Sequence, residues 1–580
     1  MPAENTKRIV IDPFTRIEGH LRIELQAGDG AIEDAWACTT QFRGIEVVMK
    51  NRDPRDAWAF AQRICGVCTA VHALASIAAV EDAVGYPVPA QAQLIRQLIS
   101  MMQIVQDHVI HFYHLQALDW VDVVSTLAAD PAETAKLQTS LSPTWPLSSA
   151  AYFAGVQQKI KNSVAAGQFS IFTNGYWGHS AYKLPPPVNL LAVAHYLEAL
   201  EWQREIIKLH TIFGGKNPHP NFLVGGMACA INLNAVLTIN QIRLDQLRDL
   251  VQRAAAFVEQ VYFPDTLAIA GFYPDWFRIG ASNPNLMAVG DAGDLLGGTP
   301  TPTGSIQPGL LLNGDYRTVV PFDLKKIVED ITSAWYTYPA GSGAGLPPWA
   351  GVTEAQYTGP KPPYQWVSTN QRYTWTKAPR YDGHAVAVGP NARVMLGYAQ
   401  GVAEIKGLVD QGLNRLKLPL DLGLLNSTLG RIFCRAVETV TTARRMRLTL
   451  ERFVERIKAG ETTTFNASKW QPSSWPETCR GVGWLEAPRG TLSHWVVIRK
   501  GSIANYQAVV PSTWNSSGRD AQGQMGPFEY ALAHSKSHPL VEPSRPLEVL
   551  RTIHSFDPCQ SCAVQILDDA GGKMLEVRVQ

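Results

Sequence analysis

The chain has 580 residues, of which 46% are apolar and 17% charged, the composition of a globular protein with a large core. Lys and Arg number 51 against 50 Asp and Glu, so no basic face marks nucleic acid as a partner. No apolar run reaches the roughly 18 residues that a spanning helix needs, and no apolar signal region follows Met-Pro-Ala-Glu-Asn-Thr-Lys-Arg, so any export is expected to rely on another carrier.

Three β-rich segments open the chain: Arg8-Ile-Val-Ile11, Leu21-Arg-Ile-Glu-Leu25 and Ala35-Trp-Ala-Cys38, separated by Pro and Gly. The pattern turns helical from Asp53 to about Val84, with Asp-Pro as the start signal. Residues 90–127, 188–213, 240–262, 393–416 and 427–459 also carry helical periodicity with few breakers, and several are long enough for a central bundle. Residues 263–385 are rich in Gly, Pro, Tyr and Trp and read as strands and surface loops. Residues 477–564 return to strands and turns. The predicted fold is mainly α, with α+β peripheral segments around a long-helix bundle. Length alone allows about four domains. No repeat or flexible linker divides the chain, however, so one interdigitated unit is expected.

Two Cys-x-x-Cys pairs stand at opposite ends, Cys65 with Cys68 and Cys559 with Cys562, in a chain holding only 8 cysteines. Four thiolates in two close pairs can enclose one soft metal. The N- and C-terminal segments must then meet at a buried metal site. A structural zinc site built from four cysteines uses the same ligand set, and soft thiolates also suit nickel, iron and iron–sulfur clusters. Cys38, Cys229, Cys434 and Cys479 are scattered and read as small buried hydrophobes. His108, His111 and His114 recur every third residue; helix-packing histidines are expected there rather than a second metal site. His554, near the second pair, is a further candidate for contact with the site.

The surroundings of the cysteines narrow the choice. Arg63-Ile-Cys-Gly-Val-Cys-Thr-Ala-Val-His72 and Asp557-Pro-Cys-Gln-Ser-Cys562 resemble the two signature motifs of the nickel–iron hydrogenase large subunit. The resemblance runs through Asp12-Pro-Phe-Thr-Arg-Ile-Glu-Gly-His20, Phe42-Arg-Gly-Ile-Glu46, Gly214-Gly-Lys-Asn-Pro-His219, Glu486-Ala-Pro-Arg-Gly490 and Val509-Val-Pro-Ser-Thr-Trp-Asn515, in the family's order. It looks most like the membrane-bound respiratory uptake group. The resemblance implies that Cys65, Cys68, Cys559 and Cys562 bind nickel, and that Cys68 and Cys562 also bridge to an iron carrying carbon monoxide and cyanide. Glu18 matches the proton-transfer glutamate that serves the Cys559 sulfur, in keeping with a carboxylate as general base. Arg489 matches the arginine above the open metal position, with Asp107 and Asp557 as the carboxylates that hold it. Pro488 and Ser512 match residues lining the cyanide pocket. His72 matches a partner of the Cys68 thiolate that tunes the metal.

The resemblance further implies a single large-subunit domain over residues 1–565 and a C-terminal extension, 566–580, removed by a maturation protease. The family usually carries Cys-x-x-Cys-x-x-His before the cut; here Gln565 takes the place of that His. In the family this His binds magnesium together with residues matching Glu46 and the Ala508 carbonyl. A Gln amide oxygen is a hard ligand suited to Mg2+. The implied partners are an iron–sulfur small subunit and a membrane cytochrome b or quinone-linked acceptor. The implied location is the outer, periplasmic face of the membrane, reached with the small subunit. Two relatives of the family are disfavoured: an H2 sensor, which lacks the removable tail, and the quinone-site subunit of respiratory complex I, which lacks the cysteine pairs.

Overall fold

A computed structural model describes residues 7–169, 172, 175–300, 304–360 and 366–560. The predicted opening strands are present as β1 (Lys7–Ile11), β2 (Leu21–Gly28) and β3 (Ala31–Thr39). They form an antiparallel sheet in the order β1-β2-β3, completed by the short strand His538–Pro539 from the far end of the chain. Leu21, Ile23 and Leu25 are fully buried against Phe528, Leu532 and Val549, so N- and C-terminal segments share one apolar core.

The helical segments are α1 (Val71–Val84), α2 (Ala90–Ile110), α3 (Pro186–Ile206), α4 (Gln241–Phe257), α5 (Pro390–Ala399), α6 (Thr428–Lys458) and α7 (Leu547–His554). The longest, α6, begins where Ser427 Oγ accepts the Gly430 N–H at 3.0 Å, a side-chain cap for a free helix-end donor. It lies along α2, α4 and α5 and forms the centre of the main core. Between α6 and α7, β4 (Thr478–Ala487), β5 (Gly490–Arg499) and β6 (Ser502–Val509) form an antiparallel meander.

Helix α1 packs on β4 unusually closely because both faces are small. A Cβ on Gly483 would lie 2.1 Å from the Ala75 carbonyl oxygen, and one on Gly481 2.3 Å from that of Ala79. Ala75, Ala79 and Ala83, four residues apart, share one helix face; Gly481 and Gly483, two apart, share one strand face. This seam fixes the start of α1 relative to the end of β4, where the two halves of the candidate site lie.

Several boundaries differ from the sequence expectation. Residues 53–84 are not one helix. Short turns at Pro54–Asp56 and Gln62–Ile64 flank Ala57–Ala61, and the first cysteine pair occupies the bend before α1. Segment 393–416 breaks after α5 at Gly401, whose φ of 80° ends a helix readily for glycine. Segment 90–127 passes from α2 into a wider turn at His111–Gln116. The stretch assigned to loops and strands from 263 opens with the helix Phe263–Ala270, and the last stretch holds α7 and two shorter helices, Pro511–Asn515 and Pro527–Ala533. Helices Pro131–Leu141 and Ala150–Ala165 lie in a region left unassigned.

Candidate metal centre

Cys65 leaves the short Gln62–Ile64 turn in extended conformation, and Arg43 braces that turn by donating to the Ile64 and Arg63 carbonyls at 2.7 Å each. The Cys68 N–H points at Cys65 Sγ, 3.1 Å away, a donor that favours the thiolate. At the other end of the chain Asp557, with φ 59°, turns the backbone between α7 and Cys559. The N-terminal segment receives it: the Gln560 N–H donates to the Glu18 carbonyl at 2.7 Å, and Glu18 and Cys559 form a parallel bridge.

Cys65 Sγ and Cys559 Sγ lie 3.4 Å apart although 494 residues separate them. With Cys68 they form a buried group whose sulfurs are all within 4.8 Å of one another. The contact is much longer than a disulfide bond of about 2.05 Å, and a compact set of buried thiols suits a soft metal. Cys562, Gln565 and residues 566–580 lie outside the described residues.

Above the sulfurs a small cavity of about 10 Å3 is bounded by Cys68, Cys559, Pro488, Arg489, Ser512 and the apolar Val71 and Leu492. Ser512 Oγ accepts the Cys559 N–H at 3.0 Å. Pro488 and Arg489 form the two-residue tip between β4 and β5, closed by the Ala487–Gly490 pair. Arg489 is 4% exposed, and its Nη1 and Nη2 lie 3.3 Å from Asp107 Oδ2 and 3.0 Å from Asp557 Oδ1. Burial opposes its charge, but Asp557, the Cys559 sulfur and Asp107 outweigh it and hold the guanidinium well above its ordinary pKa. Burial pushes Asp107 up to about 8 and raises Asp557, against the pull of Arg489. Gln103 Nε2 donates to Asp107 Oδ1 at 2.7 Å.

His72 lines the same cavity. Burial holds it down to about 4, a neutral ring at ordinary pH, and its Nδ1 lies 3.0 Å from His494 Nε2, whose Nδ1 meets the Tyr506 hydroxyl at 2.5 Å. Glu46 does not line this cavity. Its Oε1 accepts the Ala508 N–H at 3.0 Å, and Lys377 Nζ lies 3.5 Å from Oε2. Lys377 also reaches Glu329 at 3.6 Å and Gln507 Oε1 at 2.6 Å.

The three helix histidines serve three separate partners, as expected of packing residues. His108 meets Glu438 at 2.7 Å, His111 the His554 carbonyl at 2.6 Å, and His114 the Tyr196 carbonyl at 3.1 Å. His554 does not line the cavity; it bonds Asp119 at 2.7 Å and the Thr15 carbonyl at 2.8 Å. Cys38 and Cys434 are buried with thiols pushed up by desolvation, and Cys229 is raised to about 11 by the same cause, consistent with packing roles. Sequence reasoning gave no role to Arg43, Arg393, Glu438, His494 or Tyr506. Their partners lie up to 422 residues away, and no local spacing marks them.

Comparison with known proteins agrees with this geometry. A family model described as nickel-dependent hydrogenase matches residues 43–565, and one described as HoxL-like matches residues 8–42. The uptake hydrogenase large subunit of Bradyrhizobium diazoefficiens is 49% identical, covering 99% of this chain and 98% of that protein. The hydrogenase-1 large chain of Escherichia coli K12 is 45% identical, with 99% and 97% covered. Among solved structures, the Ni-Fe-Se hydrogenase of D. vulgaris Hildenborough in the reduced state superposes with a TM-score of 0.74 at 30% identity, covering 97% of this chain and 100% of that one. Signature motifs, a buried thiol cluster built from both chain ends and near-complete coverage of these relatives agree: the chain belongs to the nickel-dependent hydrogenase family, as a large subunit.

Proposed function

We propose that this chain is the catalytic large subunit of an uptake hydrogenase, which cleaves H2 heterolytically and passes the electrons to an iron–sulfur small subunit. The observation that carries the reading is the buried Cys65–Cys68–Cys559 cluster beneath Arg489 and beside Glu18. A nickel–iron centre bound there, its iron carrying carbon monoxide and cyanide, supplies the Lewis acidity and redox capacity for H2 cleavage.

The protein's part is to hold, orient and move protons. Cys65, Cys68, Cys559 and Cys562 would hold the nickel, and Cys68 and Cys562 would hold the iron as well. Glu18 accepts the proton at the Cys559 sulfur and starts it outward, the general-base role. Arg489, fixed by Asp107 and Asp557 at 3.3 and 3.0 Å, aims its guanidinium into the cavity where H2 arrives. Pro488 and Ser512 shape the cavity wall around the iron ligands. Neutral His72 supports the Cys68 side. Glu46, the Ala508 carbonyl and Gln565 are the proposed magnesium ligands.

The remaining cysteines, Cys38, Cys229, Cys434 and Cys479, are scattered along the sequence, in keeping with an electron route through the partner subunit. No described helix is long and apolar enough to cross a membrane. We place the enzyme on the periplasmic face by association with the exported small subunit and a cytochrome b or quinone-linked acceptor. A maturation protease removes residues 566–580 once the centre is loaded.

Metal analysis and H2-dependent dye reduction of the purified heterodimer test the core of this reading. One nickel per large subunit with activity is expected, with iron in excess of nickel because the small subunit brings its own iron–sulfur centres; zinc alone overturns it in favour of a structural site. Infrared bands of bound carbon monoxide and cyanide are expected, and their absence from active enzyme removes that part. Intact mass is expected to place the mature C-terminus at Gln565.

A further inference from the structure

The hairpin tip that carries Arg489 is gripped from behind. Arg393, on α5, is 1% exposed. Its Nη1 donates to Glu486 Oε2 at 2.7 Å and to the Ala487 carbonyl at 3.0 Å, and its Nη2 donates to the Pro488 carbonyl at 3.3 Å. The other edge of the guanidinium makes two bonds of 2.6 Å to Glu438 on α6. Glu438 Oε1 also meets His108 Nε2 at 2.7 Å. His108 follows Asp107 on α2, and Asp107 pairs with Arg489.

These contacts close a ring: Arg489, Asp107, His108, Glu438, Arg393, then the Ala487 and Pro488 carbonyls, and Arg489 again. Every side chain in it is buried. Burial works against the Glu438 charge, yet Arg393 and His108 hold this carboxyl down to about 2. An ion pair serving stability alone needs only Glu438. Arg393 instead spends three further contacts on consecutive residues of one strand end, a task for a rigid fork of donors that lysine lacks.

We infer that Arg393 is a positioning residue for H2 cleavage: it fixes the Ala487–Pro488 backbone so that Arg489 stands over the cysteine cluster, and it ties that placement to Asp107 through Glu438 and His108. The inference rests on the role given to Arg489 above.

The structure also supplies a test. A surface cavity of about 350 Å3 has Arg393 and Glu438 in its lining, with Glu404 and Arg444 at its outer wall; the latter two side chains are 44% and 42% exposed. Arg393→Ala therefore leaves a guanidinium-sized gap that methylguanidinium can enter. In the heterodimer, Arg393→Ala is expected to speed amide hydrogen exchange in peptides spanning residues 487–490. It should lower kcat about 10- to 100-fold, the scale for misplacing a reacting group by about 1 Å, with KM for H2 and nickel content close to wild type. Methylguanidinium should slow the exchange and restore much of kcat. Unchanged exchange at the tip, or an activity loss that follows nickel loss and ignores methylguanidinium, overturns the inference. If Arg393→Ala does not fold, Arg393→Lys and Glu438→Gln serve instead: both should speed exchange at the tip, and wild-type exchange in both refutes the clamp. A wild-type heterodimer inactive towards H2 overturns the hydrogenase reading, while tip exchange still decides the clamp.

Discussion

Gly483→Ala adds one methyl group at the seam between α1 and β4. Its Cβ would fall 2.1 Å from the Ala75 carbonyl oxygen, 2.4 Å from the Ala79 nitrogen and 2.8 Å from Ala78 Cβ. The first two are helix backbone atoms and cannot rotate away, so helix and strand must part by about 1 Å to restore ordinary contact. Overpacking of this kind costs about 1–3 kcal/mol, and contact with two backbone atoms of the helix argues for about 3. The seam holds the bend of Cys65 and Cys68 against the strand that leads into the Pro488–Arg489 tip. A shift of about 1 Å between them should cost roughly 100-fold in turnover. Melting of the heterodimer, nickel content and H2-dependent dye reduction measure the two effects separately. Gly407→Ala, where a Cβ meets nothing within 4 Å, is the control and should be neutral or up to about 1 kcal/mol stabilising. A Gly483→Ala enzyme with wild-type melting and turnover refutes the account of the seam.

Three further predictions concern the site and the core. Ser512→Ala strands the buried Cys559 N–H and should destabilise the site by about 1–3 kcal/mol, read as a lower melting temperature and weaker nickel retention, with Ser512→Thr milder. Arg489→Lys keeps the charge but cannot fork to Asp107 and Asp557 together; turnover is expected to fall at least about tenfold with nickel retained, and equal turnover contradicts the proposed geometry. Burial holds His210 and His538 at about 4, below the ordinary 6.5, so the fold favours their neutral rings. That contribution is complete above about pH 6.5 and is lost as pH falls towards 4. Urea midpoints should drop across this window, and His210→Gln, which can still donate to the Ile99 carbonyl, should flatten the drop.

Much of the site was legible because its chemistry sits in short strings. Cys65 and Cys68 announce themselves by spacing, and Pro488, Arg489 and Ser512 by the motifs around them. Asp107 has no local mark; it is an aspartate in a helical pattern, and only the packing of α2 against the β4–β5 tip makes it a partner of Arg489. Arg393 is less visible still, since its partners come from α6 and β4, 45 and 93 residues away. Among the elements, the opening strands could be read because alternation survives in Leu21-Arg-Ile-Glu-Leu25. Helix Pro131–Leu141 carried a readable start that went unused: Asp130 accepts the Ala132 N–H at 2.8 Å, with Pro131 at the first position. Helix α7 is short and follows Pro546, so its periodicity covers barely two turns, and tertiary packing decides its form.

The pairing of Glu18 and Cys559 across the two ends of the chain also sets a timetable. Cys65 emerges 494 residues before Cys559; at about 5–20 residues per second of synthesis, that interval is roughly 25–100 s. Throughout it Cys65 and Cys68 are present without Cys559, and for most of it the N-terminal sheet lacks its last strand and α1 its glycine floor. A metal captured in that period meets half a site, open to exchange with any soft competitor. Loading in the finished geometry is therefore an event of the completed chain, and the order of synthesis protects the choice of metal by postponing it.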